Sequence, residues 1–464
     1  MDNKRPSVVL AFDFGASSGR AIVGTIENET IKTKEVYRFY NGAIDRGGRA
    51  YWDIDRLFSE MLTGIKKATE EYNVLSIGID TWGVDFALLK DGNLLDMPLC
   101  YRNADNVGMA KELGSAIDLD KLYSVTGTQV LDINTVCQLL ALKKNKPDLL
   151  KKAEDILLMP DLFAYMLTGE KRNEITEAST TSLLDVKGLC WATNIMKELG
   201  INKDLFCDLV YPGEVIGHLK PSICEYLGID PIPVIAVAGH DTESALYAIP
   251  AKEEDFLFLS CGTWSLLGTK LKSAILDPSL KYEFTNEVAV DGEIAFLQNI
   301  TGLYVVQELL KEWNAAGAEL SFSDLEKEAR LAVYNGQIID TDDRVFTGTG
   351  SMVDGLKDYC ERTSQEVPSS RGETVLVLYR SLAEKYRTAI EKIEALSGKT
   401  FDKLYLVGGG SKSAVLVEII EEVCRKEVVP SGTEGSANGN LAIQMRSLGL
   451  INKDDLSTIL KNSI

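Results

Sequence analysis

The chain has 464 residues, of which 45% are hydrophobic and 25% are charged, so its composition is that of a globular protein with room for two or more domains. There are 49 lysine and arginine residues against 69 aspartate and glutamate residues, a formal net charge of −20. An acidic surface repels nucleic acid and anionic membranes, so we expect neither as a partner. Any anionic ligand would have to be bound by local backbone dipoles or a metal.

The cysteines and the N-terminal segment predict the compartment. The eight cysteines are scattered singly with no Cys-x-x-Cys pair, which is typical of free thiols in a reducing compartment. The N-terminal apolar run is too short for a signal peptide, and no stretch approaches the ~20 apolar residues of a membrane helix. We therefore expect a cytoplasmic protein. Both a monomer and a homodimer are compatible with the sequence.

The first predicted element is a hairpin with a turn rich in glycine and serine. Apolar strands are predicted at 8–12 and 21–26, and the stretch between them contains DFGASSGR, which begins at Asp13. Gly15 and Gly19 could adopt positive φ and let backbone N–H groups converge on a small anion. A carboxylate at the strand end would then need a partner or a metal. The alternative is an ordinary β-turn.

A helix and a second polar strand end follow. Apolar periodicity predicts the helix over 55–72, and the segment IGIDTWGVD at 77–85 reads as a strand that ends in a polar turn. Trp82 and Gly83 stand there between two aspartates. An indole face beside oxygen acceptors and a bare backbone suits a polyhydroxylated ligand. The alternative is that Trp82 is a core residue.

The segment GHDT, from Gly239 to Thr242, is the predicted catalytic segment. It stands between the apolar run VIAVA and a predicted helix. A partly desolvated Asp241 would have a raised proton affinity there, which suits a general base for a sugar hydroxyl. The alternative is that Asp241 or Thr242 caps the helix. A Ser-His-Asp triad and a zinc site are disfavoured, because the chain has two histidines and no paired cysteines.

The second half repeats the pattern of the first. We place a domain boundary at residue 247, ahead of the pattern-breaking segment IPAKEED, which divides the chain into 1–247 and 248–464. The segment 255–271 is a second strand–turn–strand, and with the Thr263 hydroxyl the two loops would form a clamp for a polyphosphate.

Two later segments carry candidate ligand contacts. NITGLYVVQE supplies Asn299 and Gln307, which we expect to share one face of a helix and to offer amides to a ligand. The alternative is that both amides are simply solvated. The glycine cluster that begins at Gly408 follows the predicted strand KLYLV and precedes a helix that Ser411 or Ser413 would cap. A planar ring or a phosphate could approach the bare backbone there. The alternative is a tight strand-to-helix turn.

Together these motifs resemble a known family. DFGASSGR, IGIDTWGVDFALL, MPDLFAYMLTG, GHDT, FLSCGTWSLLG, QNITGL and LVGGG occur in this order. The combination resembles the rhamnulokinases, which are sugar kinases of the FGGY group within the actin-like ATPase superfamily. The resemblance runs from about residue 8 to about residue 448. It implies an α/β fold of two actin-like, ribonuclease H-like domains with ATP and sugar in the cleft between them.

The resemblance also implies roles for individual residues. Asp13 would face Mg²⁺ and the phosphates, and Asp241 would be the catalytic base. The implied ATP contacts are Ala16, Ser17, Ser18, Gly19, Arg20, Thr263, Gln307 and Gly408. The implied sugar contacts are Gly83, His240, Asp241, Thr242 and Asn299.

The implied reaction is the Mg²⁺-assisted, ATP-dependent phosphorylation of the C1 hydroxyl of L-rhamnulose in L-rhamnose catabolism. One alternative is a kinase for another ketose, such as L-fuculose or D-xylulose. Another is a non-catalytic binding protein that uses the same actin-like cleft as a nucleotide-gated switch. Asp241 and the polar cluster at 77–85 favour a kinase over the switch, which would need no base.

Overall fold

The structure is a computed structural model that describes residues 5–15, 18–251, 256–346, 351–432 and 434–463. The chain divides into two compact units that are both discontinuous in sequence. Unit 1 comprises residues 1–252, 271–296 and 435–464, and unit 2 comprises residues 253–270 and 297–434. The predicted domain boundary at residue 247 and the implied cleft stay predictions.

The described ranges contain strands and helices in alternation. The strands are β1 (Ser7–Phe14), β2 (Ser18–Glu27), β3 (Thr30–Tyr40), β4 (Ile44–Asp45), β5 (Ala50–Tyr51), β6 (Asn73–Asp80), β7 (Phe86–Lys90), β8 (Asn93–Leu94), β9 (Asp155–Leu158), β10 (Asn173–Glu174), β11 (Leu184–Asp185), β12 (Cys190–Trp191), β13 (Leu209–Val210), β14 (Val215–His218), β15 (Pro233–Ile235), β16 (Leu257–Cys261), β17 (Trp264–Leu271), β18 (Thr285–Val288), β19 (Ile294–Thr301), β20 (Lys403–Val407) and β21 (Glu427–Pro430). The α-helices are α1 (Ile54–Glu71), α2 (Met109–Ala116), α3 (Leu119–Thr126), α4 (Thr135–Asn145), α5 (Pro147–Lys152), α6 (Met159–Thr168), α7 (Ile175–Ser179), α8 (Thr193–Leu199), α9 (Pro221–Leu227), α10 (Asp241–Tyr247), α11 (Tyr304–Ala315), α12 (Phe322–Leu331), α13 (Met352–Arg362), α14 (Arg371–Ser397), α15 (Ala414–Cys424), α16 (Gly435–Ser447) and α17 (Leu456–Asn462).

Unit 1 is built on a six-stranded sheet in the order β14-β15-β6-β1-β2-β3. Strand β1 pairs antiparallel with β2 and parallel with β6, so the predicted first hairpin is confirmed. Alternate residues of β1 point to opposite faces: Val8, Leu10 and Phe12 belong to a core that also contains residues of α1 and α6. Val9 and Ala11 belong to a second core, to which α16 contributes. The helix predicted over 55–72 is confirmed as α1.

In unit 2, five strands run in the order β19-β17-β16-β20-β21. Strands β16 and β17 form the predicted second hairpin, and β20 pairs in parallel with β16. The predicted strand–glycine–helix unit is confirmed as β20 and α15. Ser413 is the N-cap of α15 and accepts a hydrogen bond from the N–H of Leu416 at 3.2 Å, so this serine fulfils the predicted capping role.

The prediction that Asn299 and Gln307 share one helix is wrong. Asn299 lies in β19 and Gln307 lies in α11. The chain turns between them at Gly302, where a Cβ atom would lie 2.5 Å from Ser265 Oγ. Only glycine lets the backbone approach β17 so closely. The turn at this residue ends β19 and is followed by α11, so the two amides lie in different elements.

All eight cysteines are free thiols, as their spacing predicts. Six of them are buried, so they behave as small core residues. None of the helices in the described ranges combines the length and the apolar character that a membrane span needs.

Candidate active site

Three aspartates come together at one edge of the unit 1 sheet. Asp13, the second-last residue of β1, pairs with Asp80, which ends the parallel neighbour β6. The next residue, Thr81, pairs with His240, and its carbonyl oxygen accepts a hydrogen bond from the N–H of Asp241 at 2.8 Å. The carboxyl ends of parallel strands are where open α/β sheets bind their ligands. The local topology therefore places the predicted base beside the predicted metal-facing residue.

The carboxyl groups at this edge influence one another. Burial raises the pKa of Asp241; the charge of His240 opposes this, and the charge of Asp13 adds to it. Burial and the neighbouring Asp13 hold the pKa of Asp80 well above its usual range, although Asp80 Oδ2 accepts a hydrogen bond from Asn440 Nδ2 at 2.6 Å. Asp80 and Asp241 therefore hold a proton more tightly than an ordinary aspartate does.

The alternative that Asp241 or Thr242 is the N-cap of the helix is wrong. Helix α10 begins at Asp241, and its N-cap is His240, whose side chain makes no capping hydrogen bond within the described ranges. Thr242 Oγ1 lies 3.3 Å from Asp241 Oδ1. The Asp241 side chain keeps 31% of its surface exposed, so its carboxylate is reachable from solvent at the first turn of a helix.

The imidazole of His240 lies against Gly83. A Cβ atom on Gly83 would stand 3.3 Å from His240 Nε2, so the glycine leaves this edge of the ring open. His240 Nδ1 lies 2.9 Å from Glu287 Oε2. Burial works against a charge on the ring, but Glu287 and Asp241 outweigh it and raise the pKa of His240 to about 10. At neutral pH the ring is therefore an imidazolium with an N–H on its open side. Four predicted sugar contacts, Gly83, His240, Asp241 and Thr242, are thus neighbours.

Trp82 is a core residue, as the alternative had it, and the sugar-platform interpretation is wrong. Its side chain is 7% exposed, and its indole N–H donates to Asp85 Oδ2 at 3.0 Å. Trp52 donates to the same oxygen at 2.6 Å. Burial raises the pKa of Asp85 to about 7, against the opposing effect of these hydrogen bonds. The two indoles and this carboxyl form a buried hydrogen-bonded cluster in the core.

The first glycine turn differs from its prediction. Neither Gly15 nor Gly19 adopts positive φ. Gly19 is required for packing instead, because a Cβ atom there would lie 2.2 Å from the ring of Phe39. A Cβ atom on Gly15 would meet only the carbonyl oxygen of Ser18, at 3.5 Å. The space beside Gly15 is therefore not filled by the described part of the protein.

The predicted ATP contacts of this loop have different positions. Arg20 is the cross-strand partner of Asp13 in β1 and forms an ion pair with it. Strand β2 begins with three of the predicted contacts, Ser18, Gly19 and Arg20. The other two, Ala16 and Ser17, lie outside the described residues.

Three predicted ATP contacts lie in the carboxyl-end loops of unit 2 and in α11. Thr263, in the turn after β16, donates its hydroxyl to Gln307 Oε1 at 3.0 Å. Gly408 directly follows β20 at φ +86°, and a Cβ atom there would lie 2.9 Å from the carbonyl oxygen of Cys261. The left-handed conformation and this close approach both require glycine. Asn299 also belongs to unit 2, unlike the other predicted sugar contacts.

Sequence reasoning missed Glu287, Glu177 and Asn440. Glu287 faces His240, Glu177 is fully buried near both His240 and Asp241, and Asn440 holds Asp80. The available signal was a polar residue inside an apolar run, as in TNEVAV and GNLAIQM. Such residues are buried at a cost and usually have a specific partner.

The sequence matches known protein families over most of its length. Residues 8–248 match the FGGY family of carbohydrate kinases, N-terminal domain, and residues 257–448 match its C-terminal domain. A protein named rhamnulokinase from Oceanobacillus iheyensis is 40% identical over 450 residues, which cover 96% of this chain and 94% of that protein. A rhamnulokinase from Bacteroides thetaiotaomicron is 38% identical over 443 residues, or 95% of this chain and 90% of that protein.

Solved structures of sugar kinases share the fold. A xylulose kinase from Lactobacillus acidophilus superposes with a TM-score of 0.79 at 17% identity, covering 99% of this chain and 92% of that chain. Plasmodium falciparum glycerol kinase with ADP gives a TM-score of 0.77 at 17% identity, covering 100% of this chain and 94% of that chain. These likenesses confirm the predicted α/β fold with two actin-like, sheet-containing domains. Since two family domains match most of its length, the chain belongs to the FGGY family of carbohydrate kinases.

Proposed function

We propose that the protein is a rhamnulokinase, which transfers the γ-phosphoryl group of ATP to the C1 hydroxyl of L-rhamnulose in rhamnose catabolism. The observation that carries the proposal is the position of Asp241: a partly exposed carboxylate at the carboxyl edge of the sheet, with Asp13 and an imidazolium nearby. Membership of a sugar kinase family and relatives named rhamnulokinase over nearly the full length support the choice of reaction and sugar. The free cysteines are in keeping with work in the cytoplasm.

Asp241 would act as the general base. Its pKa is raised by burial, so the carboxylate accepts a proton more readily than an ordinary aspartate does. It would take the proton of the C1 hydroxyl as the oxygen attacks the γ-phosphorus. The bond from the γ-phosphorus to the bridging oxygen would break, and ADP would be the leaving group. The open edge of His240 beside Gly83 would donate a hydrogen bond to a sugar oxygen. Positioning and charge compensation carry most of the catalysis in phosphoryl transfer.

We propose that Mg²⁺ binds beside Asp13 and Asp80. Asp80 Oδ1 is buried and has no hydrogen-bond partner among the described residues, and such an orphaned oxygen is one that a cation can satisfy. Asp13 stands opposite it on the neighbouring strand, and carboxylate oxygens are the hard ligands that Mg²⁺ prefers. The residues present therefore fit the ion. When bound, Mg²⁺ would supply neutralising charge to the phosphate oxygens.

A panel of ketoses tests the proposed function. With ATP and release of ADP as the readout, kcat/KM for L-rhamnulose should exceed that for L-fuculose, D-xylulose and glycerol by at least about tenfold, because a pocket that pairs each hydroxyl discriminates against sugars that leave a polar group unpaired. A higher kcat/KM for L-fuculose or D-xylulose would keep the kinase and overturn the sugar. Nucleotide binding without turnover on any sugar would favour the switch.

Two glycine variants test the proposed phosphate loops. Gly15→Val and Gly262→Val should each raise the KM for ATP by about tenfold or more and leave the KM for the sugar nearly unchanged. At Gly262 the nearest atom to a Cβ would be the carbonyl oxygen of Trp264 at 3.8 Å, so this variant should fold normally. Gly19→Ala, by contrast, should lower the melting temperature, because its Cβ atom would lie 2.2 Å from the ring of Phe39. A variant that loses sugar affinity alone would contradict the assignment of its loop.

A further inference from the structure

Glu287 and His240 form a buried pair in unit 1. Glu287 is 4% exposed in β18, and His240 is 8% exposed at the start of α10. Glu287 Oε2 lies 2.9 Å from His240 Nδ1, a distance typical of a charge-assisted hydrogen bond. The other ring nitrogen, Nε2, lies 3.7 Å from Asp241 Oδ1 and faces the open position beside Gly83.

We propose that Glu287 is a positioning residue, which fixes the ring of His240 and keeps it as an imidazolium so that Nε2–H is presented to the sugar. The part of the proposal that concerns the sugar rests on the proposed kinase function. Glu287 itself does not touch the reacting atoms, because the imidazole lies between it and Asp241.

The hydrogen bond determines both the orientation and the protonation of the ring. The Glu287 carboxylate accepts a hydrogen bond from Nδ1–H, so the ring cannot turn over without breaking a buried charge-assisted bond. Nε2 is then held on the side of Gly83, where a side chain would fill the space that a ligand needs. A neutral ring could present Nε2 without a proton, whereas an imidazolium always donates from it.

The charges around His240 all favour the imidazolium. Glu287 of β18, Asp241 of α10 and Glu177 of α7 each raise the pKa of His240, whereas burial lowers it. Glu243 of α10 also lies close, since its carboxylate, that of Glu287 and the imidazole offer ligand atoms within 4.8 Å of one another. Glu287 is the largest of the raising influences. Without it, the opposing effect of burial would be less compensated, and the ring would lose its proton at a lower pH.

Nuclear magnetic resonance tests the pairing without any need for turnover. The chain has two histidines, His218 and His240, so ¹⁵N-labelled imidazoles give two sets of signals, and a His218→Gln variant assigns them. In the full-length protein, His240 should keep imidazolium shifts from pH 6 to about pH 9. In Glu287→Gln it should titrate at least about two pH units lower. An unchanged His240 titration in Glu287→Gln would overturn the proposal.

Kinetics test the role toward the sugar. Because the imidazolium is lost as pH rises, the defect of Glu287→Gln should grow with pH: kcat/KM for L-rhamnulose should fall about tenfold or more at pH 9 and much less at pH 6. The KM for ATP should stay within about threefold of the wild-type value. Glu287→Asp should recover part of the loss, and Glu225→Gln, which removes an exposed carboxylate of the same unit, should be silent.

The outcomes separate the two proposals. A loss of kcat/KM that is equal at pH 6 and pH 9 would mean that Glu287 acts only through folding, and it would overturn the positioning role. If the wild-type protein phosphorylates a different sugar, the same comparison is made with that sugar. If it phosphorylates none, the proposed function fails, and the His240 titration still decides whether Glu287 holds the imidazolium.

Discussion

The Asp241→Asn variant is expected to lose about 10²- to 10⁴-fold in kcat while it still binds ATP and sugar. Asparagine has the same shape as aspartate but cannot accept the hydroxyl proton. The backbone contact of residue 241 with Thr81 does not depend on the side chain, so the fold of the edge should persist. Steady-state kinetics with ADP release gives kcat, and calorimetric titrations give the two affinities.

The control for this variant is Thr242→Val, which removes a neighbouring hydroxyl and leaves the carboxylate in place. It should weaken sugar binding and reduce kcat far less than Asp241→Asn does. Near-normal turnover in Asp241→Asn would remove Asp241 from the mechanism. Since Asp241 does not cap α10, another carboxyl of the same edge, Asp80 first, would then have to be tested as the base.

Gly439→Ala is expected to destabilise the protein by about 3 kcal/mol or more, although it adds a single methyl group. In α16, a Cβ atom at residue 439 would lie 1.7 Å from the carbonyl oxygen of Ser244 in α10. Real atoms cannot approach so closely, so one of the helices must shift. Because the next residue, Asn440, holds Asp80, the shift should also disturb the carboxyl edge.

Gly435→Ala is the matched control, because it makes the same substitution one turn earlier on the same helix. A Cβ atom there would lie 3.2 Å from the Cβ of Ala245, a tight contact that small adjustments can relieve. Chemical unfolding of both variants gives the two changes in the free energy of unfolding. Equal stability of Gly439→Ala and the wild type would show that α10 and α16 are not packed as described.

Local patterns predicted the elements that frame the candidate site. The two hairpins, α1 and the strand–glycine–helix unit of β20 and α15 were predictable because alternation, periodicity and glycine placement are local properties. The family resemblance supplied the proposed roles of individual residues. The start of α10 at Asp241 was predictable as well, since an apolar run followed by GHDT ahead of a helix is visible in one short stretch.

The contacts between distant segments were not predictable. Glu287 meets His240 across many intervening residues, and Asn440 meets Asp80 only because α16 packs on β6. Gly19 was misread for the same reason, since its requirement comes from Phe39 on the adjacent strand and not from its own φ. Trp82 was misread because a tryptophan beside aspartates gives the same sequence pattern whether the indole binds a sugar or packs in a core.

The sequence discontinuity of unit 1 has a consequence for synthesis on the ribosome. Helix α10, which carries Asp241, packs against α16, whose residues 435–447 are translated after all of unit 2. Unit 1 therefore cannot be completed before almost the whole chain has been synthesised. The face of α10 that contains Ser244 stays uncovered until Gly439 has left the ribosome. Domains usually fold as they leave the ribosome, starting from the N-terminus. Here unit 2 can fold first. The helix that carries the proposed base packs against α16 only in the last stage of folding, and this is the stage at which chaperones are most needed.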